Sequence, residues 1–455
     1  MTENPELETL KQKLNDKNIF EIRQIARKVG VPQPTTGKKE RLVSGIIDIA
    51  SGKVDPVDPS RFGAPPSSEE YDRILVALVH KVRAQSLNAV AEEESGDGAV
   101  LSVAGDDSAD GYAVSGFLDR DKGKWIIRTG GAPVNDIFVN DYYADKYILR
   151  RGDKVCGTAR RKYADSFAAL QSVTSVNGCA PEEDAHRREF DELIPVYPEK
   201  RLSVSQGGIS GRIIDLMCPL GAGQRTLVTA PHGTGKTALL KCMAQGLQAG
   251  NDGLKIIVLL IDSRPEEISD FTSSLHGAEV IPCVAHGGGG RVVRLALEYA
   301  KRLTERGEDV VLLIDGLSEY ARSLELYGMP LADAVEDAKE LISCARNIKD
   351  GGSLTIVSTV GDGDPLERAL YSNLKGSANM FITLSGALAR SRVYPPFDLQ
   401  NTRTLRDENL LTADELKAAD ILHMHYIEHG TQGIISLFAG SADNAKLCEN
   451  LLNKN

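Results

Sequence analysis

The chain has 455 residues and a formal net charge of −11. It is long enough for two or three domains, and its acidity argues against a whole surface given to nonspecific polyanion binding. No apolar run reaches the ~18 residues of a membrane span and the N-terminus carries no signal-like core, so a soluble, cytoplasmic protein with no membrane partner is expected. Seven cysteines, at 156, 179, 218, 242, 283, 344 and 448, stand singly without C-x-x-C spacing. That suggests neither zinc ligation nor a disulfide framework, and most of them are expected to be small core residues.

Residues 1–50 read as a small helical module. Leu14, Phe20, Ile22, Ile25, Ala26 and Val29 recur at helical spacing, as do Leu42, Val43, Ile46, Ile47 and Ile49, and Pro and Gly between 30 and 37 separate the two runs. Residues 51–111 follow as a Pro-rich linker, a spacer helix over 69–85 and an acidic segment. Over 112–178 short alternating runs separated by turn signals predict a five-stranded barrel, with strands at Gly116–Asp119, Lys124–Arg128, Asp136–Val139, Lys154–Cys156 and Phe167–Val173. From 179 to 455, near-continuous apolar strands at 227–229, 256–261, 310–314 and 354–358 alternate with helices, the mark of a parallel sheet covered on both faces.

The segment Thr229-Ala-Pro-His-Gly-Thr-Gly-Lys-Thr237 lies between one of these strands and a helix. Gly233 and Gly235 let backbone N–H groups close around phosphate oxygens, Lys236 reaches the outer phosphates and Thr237 offers a hydroxyl to Mg²⁺. Ala230 replaces the first glycine of the motif. Asp315, at the end of the strand 310–314, is placed as the acid of an ATP and Mg²⁺ site.

Longer motifs extend this reading: Asp215-Leu-Met-Cys-Pro219, Gly221-Ala-Gly-Gln-Arg225, Asp262-Ser-Arg-Pro-Glu-Glu267, Ala345 to Ile356, Leu374 to Met380 and Ser391-Arg-Val-Tyr-Pro395. In their order the chain resembles the bacterial transcription termination factor Rho family, and Glu21–Ile47 with the barrel segments carries the resemblance into the N-terminal half. The resemblance implies a helical N-terminal module, a cold-shock-type (OB-like) barrel and a RecA-like P-loop ATPase domain. It implies a homo-oligomeric, hexameric ring that hydrolyses ATP, moves on single-stranded RNA and acts on RNA polymerase. By position, His232, Gly233, Thr234, Gly235, Lys236, Thr237 and Ala238 would form the phosphate site, and Thr237 with Asp315 would hold the metal. Tyr394 would stack on adenine. Arg264, Arg392 and Arg406 would join the catalytic set, the last two from a neighbouring subunit, with Arg403 as the alternative to Arg406. In the barrel, Lys124, Trp125, Arg128 and Phe138 would meet RNA, Trp125 being equally placed to fill the barrel core.

The chain departs from the family pattern at three places. Ser263 stands where the family has a glutamate that polarises water, and a hydroxyl is far too weak a base at neutral pH. Asp262 and Glu266 are the substitutes weighed, Asp262 being expected to point away in an extended segment. The segment Gly328–Lys339 is acidic where the family has a glycine-rich pore loop, and Gly361-Asp-Gly-Asp-Pro365 is acidic where it carries a lysine toward RNA. Two readings therefore stand: a Rho-type RNA-dependent ATPase and helicase, or a paralogue that binds ATP and nucleic acid, hydrolyses weakly or not at all and acts as a regulator. A rotary- or secretion-type ATPase subunit is a third, opposed by the N-terminal half.

Overall fold

The computed structural model describes residues 10, 11, 13, 14, 17–29, 31, 37–51, 111–129, 136–161, 168–184, 187–284 and 289–453. The predicted linker, spacer helix and acidic segment lie outside these residues, apart from Ser51 and Gly111. The chain divides into two compact units, 1–99 and 100–455.

In the first unit, α1 (Ile19–Val29) and α2 (Lys39–Ala50) pack through the expected stripes: Ile22, Ile25, Ala26 and Val29 against Leu42, Val43, Ile46 and Ile49, with Leu10 and Leu14 completing the core. Asn18 starts α1 by accepting the backbone N–H groups of Phe20 and Glu21. Phe20 corrects the sequence reading. Two residues before Ile22, it falls on the opposite face and is 70% exposed.

The second unit opens with the barrel: β1 (Tyr112–Asp121), β2 (Lys124–Arg128), β3 (Ile137–Val139), β4 (Lys154–Arg160) and β5 (Ala168–Val176), closed in the order β1-β2-β3-β5-β4. A short helix, α3 (Asp141–Lys146), follows β3, capped by the Asn140 side chain. Leu118, Ile127, Ile137, Val139, Val155 and Leu170 fill the interior.

The remainder is a sheet between helical layers. Seven of its nine strands are β6 (Arg225–Thr229), β7 (Lys255–Ile261), β8 (Glu279–Cys283), β9 (Asp309–Asp315), β10 (Ser353–Val360), β11 (Met380–Thr383) and β12 (Arg403–Thr404), in the order β12-β11-β6-β10-β9-β7-β8, and the short strands Pro195–Val196 and Arg346–Ile348 join at β10 off this path. All pairs along the path are parallel except β11 with β12. Alternate residues of β7 enter opposite cores: Ile256, Val258 and Leu260 one, Ile257, Leu259 and Ile261 the other. Burial on both faces is why the strand reads as an unbroken apolar run.

The helices that position the site are α4 (Gly208–Met217), α5 (Lys236–Gly250), α6 (Pro265–Ser274), α7 (Gly289–Glu305), α8 (Leu317–Leu326), α9 (Leu331–Ser343), α10 (Pro365–Leu374), α11 (Gly386–Arg390) and α12 (Ala413–Ala439). The barrel rests on α7 and β8: Phe117 packs on Tyr299 of α7 with ring centroids 5.0 Å apart, and Lys154 pairs with Glu279 at the start of β8 at 2.6 Å. Of the seven cysteines only Cys218, Cys283 and Cys448 are fully buried; the others are half-buried, fewer in the core than composition suggested. No helix among the described residues is long and apolar enough to cross a membrane.

Candidate nucleotide-binding site

β6 ends at Thr229 and α5 begins at Lys236, and the six residues between form the predicted glycine turn. Gly233 (φ +74°) and Gly235 (φ +98°) both take left-handed backbone, which side chains at those positions would oppose. Gly235 caps α5 with no side chain, so the first N–H groups of the helix face outward without an internal acceptor. Ala230 is fully buried, and its N–H donates to the carbonyl of Val360 at 3.2 Å. The loop is thereby anchored to β10 where the motif has its first glycine. Thr234 Oγ1 closes the turn onto the Pro231 carbonyl at 2.7 Å, and Ala238 continues the first turn of α5. Lys236 Nζ donates to the carbonyls of Ala230 and Pro231 at 2.8 and 3.4 Å.

Asp315 ends β9 beside the start of α5. Thr359, one residue from the end of β10, gives its hydroxyl to Asp315 Oδ1 at 2.8 Å and accepts the Gly316 N–H at 2.9 Å. Burial pushes the Asp315 carboxyl above the usual carboxylate range, against hydrogen bonds from Thr237 and Thr359; the charge of Glu267 adds to the rise and that of Lys236 opposes it. Thr237 and Asp315 are thus brought together as the sequence placed them. Thr359 was missed. It is the folded pairing of β10 with β9, in the register Ile314 to Ser358, that sets Thr359 level with Asp315.

The segment after β7 differs from expectation. Asp262 takes left-handed backbone (φ +50°) and is exposed, so it is not the extended residue the sequence suggested. Ser263 is half-buried, Arg264 is exposed at the N-cap of α6, and Glu266 is exposed. Glu267 Oε2 accepts the Arg264 N–H at 3.0 Å. On the far side, Tyr394 is 60% exposed and gives its hydroxyl to the Ala389 carbonyl at 3.3 Å. Arg392 and Arg406 are exposed and left-handed (φ +58° and +60°). The Arg406 guanidinium lies 3.9 Å from the Tyr197 ring centre, and Arg403 lies 5.6 Å from that of Phe381. No hydrogen bond or ion pair among the described residues joins these arginines to the phosphate loop.

The acidic segments are partly structural. Residues 331–343 form the helix α9, with Val335, Ala338, Leu341 and Ile342 in the core; Asp337 pairs with Arg294 and accepts the Tyr320 hydroxyl. Asp364 caps α10, accepting the Glu367 N–H at 2.9 Å, and pairs with Arg322 at 2.6 Å. The bond from the Glu367 backbone and the Arg322 guanidinium hold its carboxyl below the usual range. Asp362 remains exposed.

In the barrel, Lys124 is exposed and Phe138 pairs with Ile126. Trp125 leans against the barrel core, with Arg120 5.2 Å from its ring centre, which favours the core reading. Arg128 is enclosed by Asp119, Asp121 and Asp136, and Arg151 and Arg291 also reach Asp119. Its charge is therefore largely neutralised within the chain.

Residues 210–403 match the model of the ATP synthase alpha/beta family nucleotide-binding domain. The transcription termination factor Rho of Pseudomonas aeruginosa is 35% identical over 353 residues, which is 73% of this chain and 80% of that protein. This chain belongs to the Rho family. Rho of Streptomyces lividans is 37% identical over 339 residues, 68% of this chain, but this Rho-family chain spans only 47% of its length. A solved ATPase of the enteropathogenic E. coli type III secretion system aligns at 18% identity, 65% of this chain and 79% of its own, with a TM-score of 0.49, too slight a likeness to argue from.

Proposed function

We propose that this chain is a Rho-type, RNA-dependent ATPase, one subunit of a hexameric ring that moves along single-stranded RNA and releases the transcript from RNA polymerase. The observation that carries the reading is the meeting of Thr237, Asp315 and Thr359 beside a glycine turn that also holds Lys236. A hydroxyl and a carboxylate oxygen are hard donors that suit Mg²⁺, and a bound ion would offset the charge of the phosphates. Thr237 and Asp315 would hold it, Lys236 would turn from the loop carbonyls to the outer phosphates, and the N–H groups from Gly233 to Ala238 would line the phosphate chain. Tyr394 would cover the adenine, and Arg392 and Arg406 would reach a neighbouring subunit's site. For RNA, Lys124 and Phe138 are the better-placed barrel residues, since Arg128 is already paired.

Ser263 favours the second reading, an ATP-binding paralogue with weak hydrolysis acting as a regulator. Asp262 and Glu266 are both exposed, and Glu267 is the carboxylate of this segment whose charge reaches Asp315. Steady-state ATP turnover with and without single-stranded RNA separates the two. RNA-stimulated turnover by wild type that Lys236→Ala abolishes supports the first. A silent wild type that binds ATP, with turnover gained in Ser263→Glu, supports the second. Failure to bind ATP removes both.

A further inference from the structure

Glu367, in the first turn of α10, is a buried carboxylate that the site described above does not use; its side chain is 1% exposed. Its two oxygens differ. Oε2 accepts the backbone N–H groups of Gly363 and Asp364 at 2.7 and 3.2 Å, folding the loop 361–364 over the start of the helix. Oε1 has no aligned donor and is sealed from solvent, an arrangement that costs free energy unless a donor arrives. The space around it is kept by Gly361, where a Cβ would lie 1.9 Å from Oε1. His232 Nε2 stands 3.3 Å from Oε1.

His232 belongs to the phosphate loop and directly follows Ala230 and Pro231, whose carbonyls hold the Lys236 ammonium. It therefore stands at the end of the loop that Lys236 marks as the outer-phosphate end. An imidazole has two nitrogens on opposite edges. With a proton on both nitrogens, the ring gives Nε2–H to Glu367 and has Nδ1–H left to donate to a phosphate oxygen.

Resting on the ATP-binding reading, we infer that His232 and Glu367 form a positioning pair that senses the terminal phosphate of the bound nucleotide and ties it to the loop 361–364. A phosphate oxygen on Nδ1 orients the ring, the ring satisfies Oε1, and the carboxylate fixes the loop through Oε2. The Asp364–Arg322 pair carries the restraint on to α8. Neither residue reacts; both act through the geometry they impose.

Two variants of the full chain test this. In Glu367→Gln the amide oxygen can keep the Gly363 and Asp364 N–H groups while its NH₂ turns to His232, so a donor replaces the acceptor and the loop is retained. His232→Ala alters an exposed side chain and leaves the fold intact. Dissociation constants for ATP and ADP are measured by calorimetry with Mg²⁺. Hydrogen exchange of the peptide spanning 361–368 is followed with and without a non-hydrolysable ATP analogue. Each variant is expected to lower the preference for ATP over ADP roughly tenfold, as loss of a charge-assisted bond predicts. The double variant is expected to lower it no further, and the ATP-dependent protection of 361–368 is expected to vanish in His232→Ala. Additive losses, an unchanged preference, or protection that persists in His232→Ala would overturn the inference alone. Absence of ATP binding by wild type would overturn it together with the reading beneath it.

Discussion

Asp315 lies in a place that resists charge. Its carboxyl is raised by burial despite two hydroxyl donors and Lys236. A group whose folded pKa lies above its unfolded value lends stability below the unfolded value and loses it as pH rises through the folded one, so at neutral pH this carboxylate destabilises the empty chain. Asp315→Asn should accordingly raise the melting temperature of the nucleotide-free protein by about 2 °C, whereas added Mg²⁺-ATP should no longer raise it. Thermal scans with and without nucleotide read both effects. Thr359→Val should act oppositely, leaving Oδ1 of Asp315 and the Gly316 N–H short of a partner. A cost of about 1–3 kcal/mol in urea unfolding is expected. Lys236, Thr237 and Asp315 were legible because a glycine turn and the end of an apolar strand are local patterns. Thr359 and Glu367 were not, since Thr359 lies 44 residues along the chain from Asp315 and Glu367 lies 135 residues from His232. Asp262 was misjudged for a related reason: a sequence shows the end of a strand but not the hand of the residue after it.

At the scale of elements, the apolar runs foretold the strands well, because double-sided burial leaves no room for alternation, and the barrel strand Lys124–Arg128 falls where its pattern placed it. Pattern was less informative for the segments between. The acidic stretch set against the family's pore loop is mostly helix α9, whose apolar residues at 335, 338, 341 and 342 serve the core while Asp337 finds a cationic and a hydroxyl partner. The turn before β4 shows what motif comparison alone could not explain. Gly152 (φ +89°) meets α7 so closely that a Cβ would lie 2.5 Å from Glu298 Cβ and 2.6 Å from its carbonyl carbon. Gly152→Ala combines backbone strain with overlap and is expected to cost about 2 kcal/mol or more. Limited proteolysis should then cleave between the barrel and α7 at protease levels that leave wild type whole.

Across the whole second unit, the barrel and the sheet are joined by a buried ionic cluster. Arg187 gives Asp153 bonds of 2.6 and 2.8 Å and reaches Glu305 at 2.9 Å, and Arg150 and Arg302 also contact Glu305. Burial raises the Glu305 carboxyl even so, against the three arginines. Removing one member leaves uncompensated charge in the interior, so Arg187→Met should cost about 3–5 kcal/mol and split the unfolding transition in two by calorimetry. One further consequence lies in the order of the strands. The glycine turn follows β6 and Asp315 ends β9, but these strands are not neighbours; β10 separates them and touches both through Val360 and Thr359. A nascent chain that has been translated only as far as residue 350 therefore owns every residue of the phosphate loop and the acid, yet lacks the spacer that sets them apart. Nucleotide cannot help the early chain to fold, and ATP-dependent protection during synthesis should begin only once β10 has emerged from the ribosome.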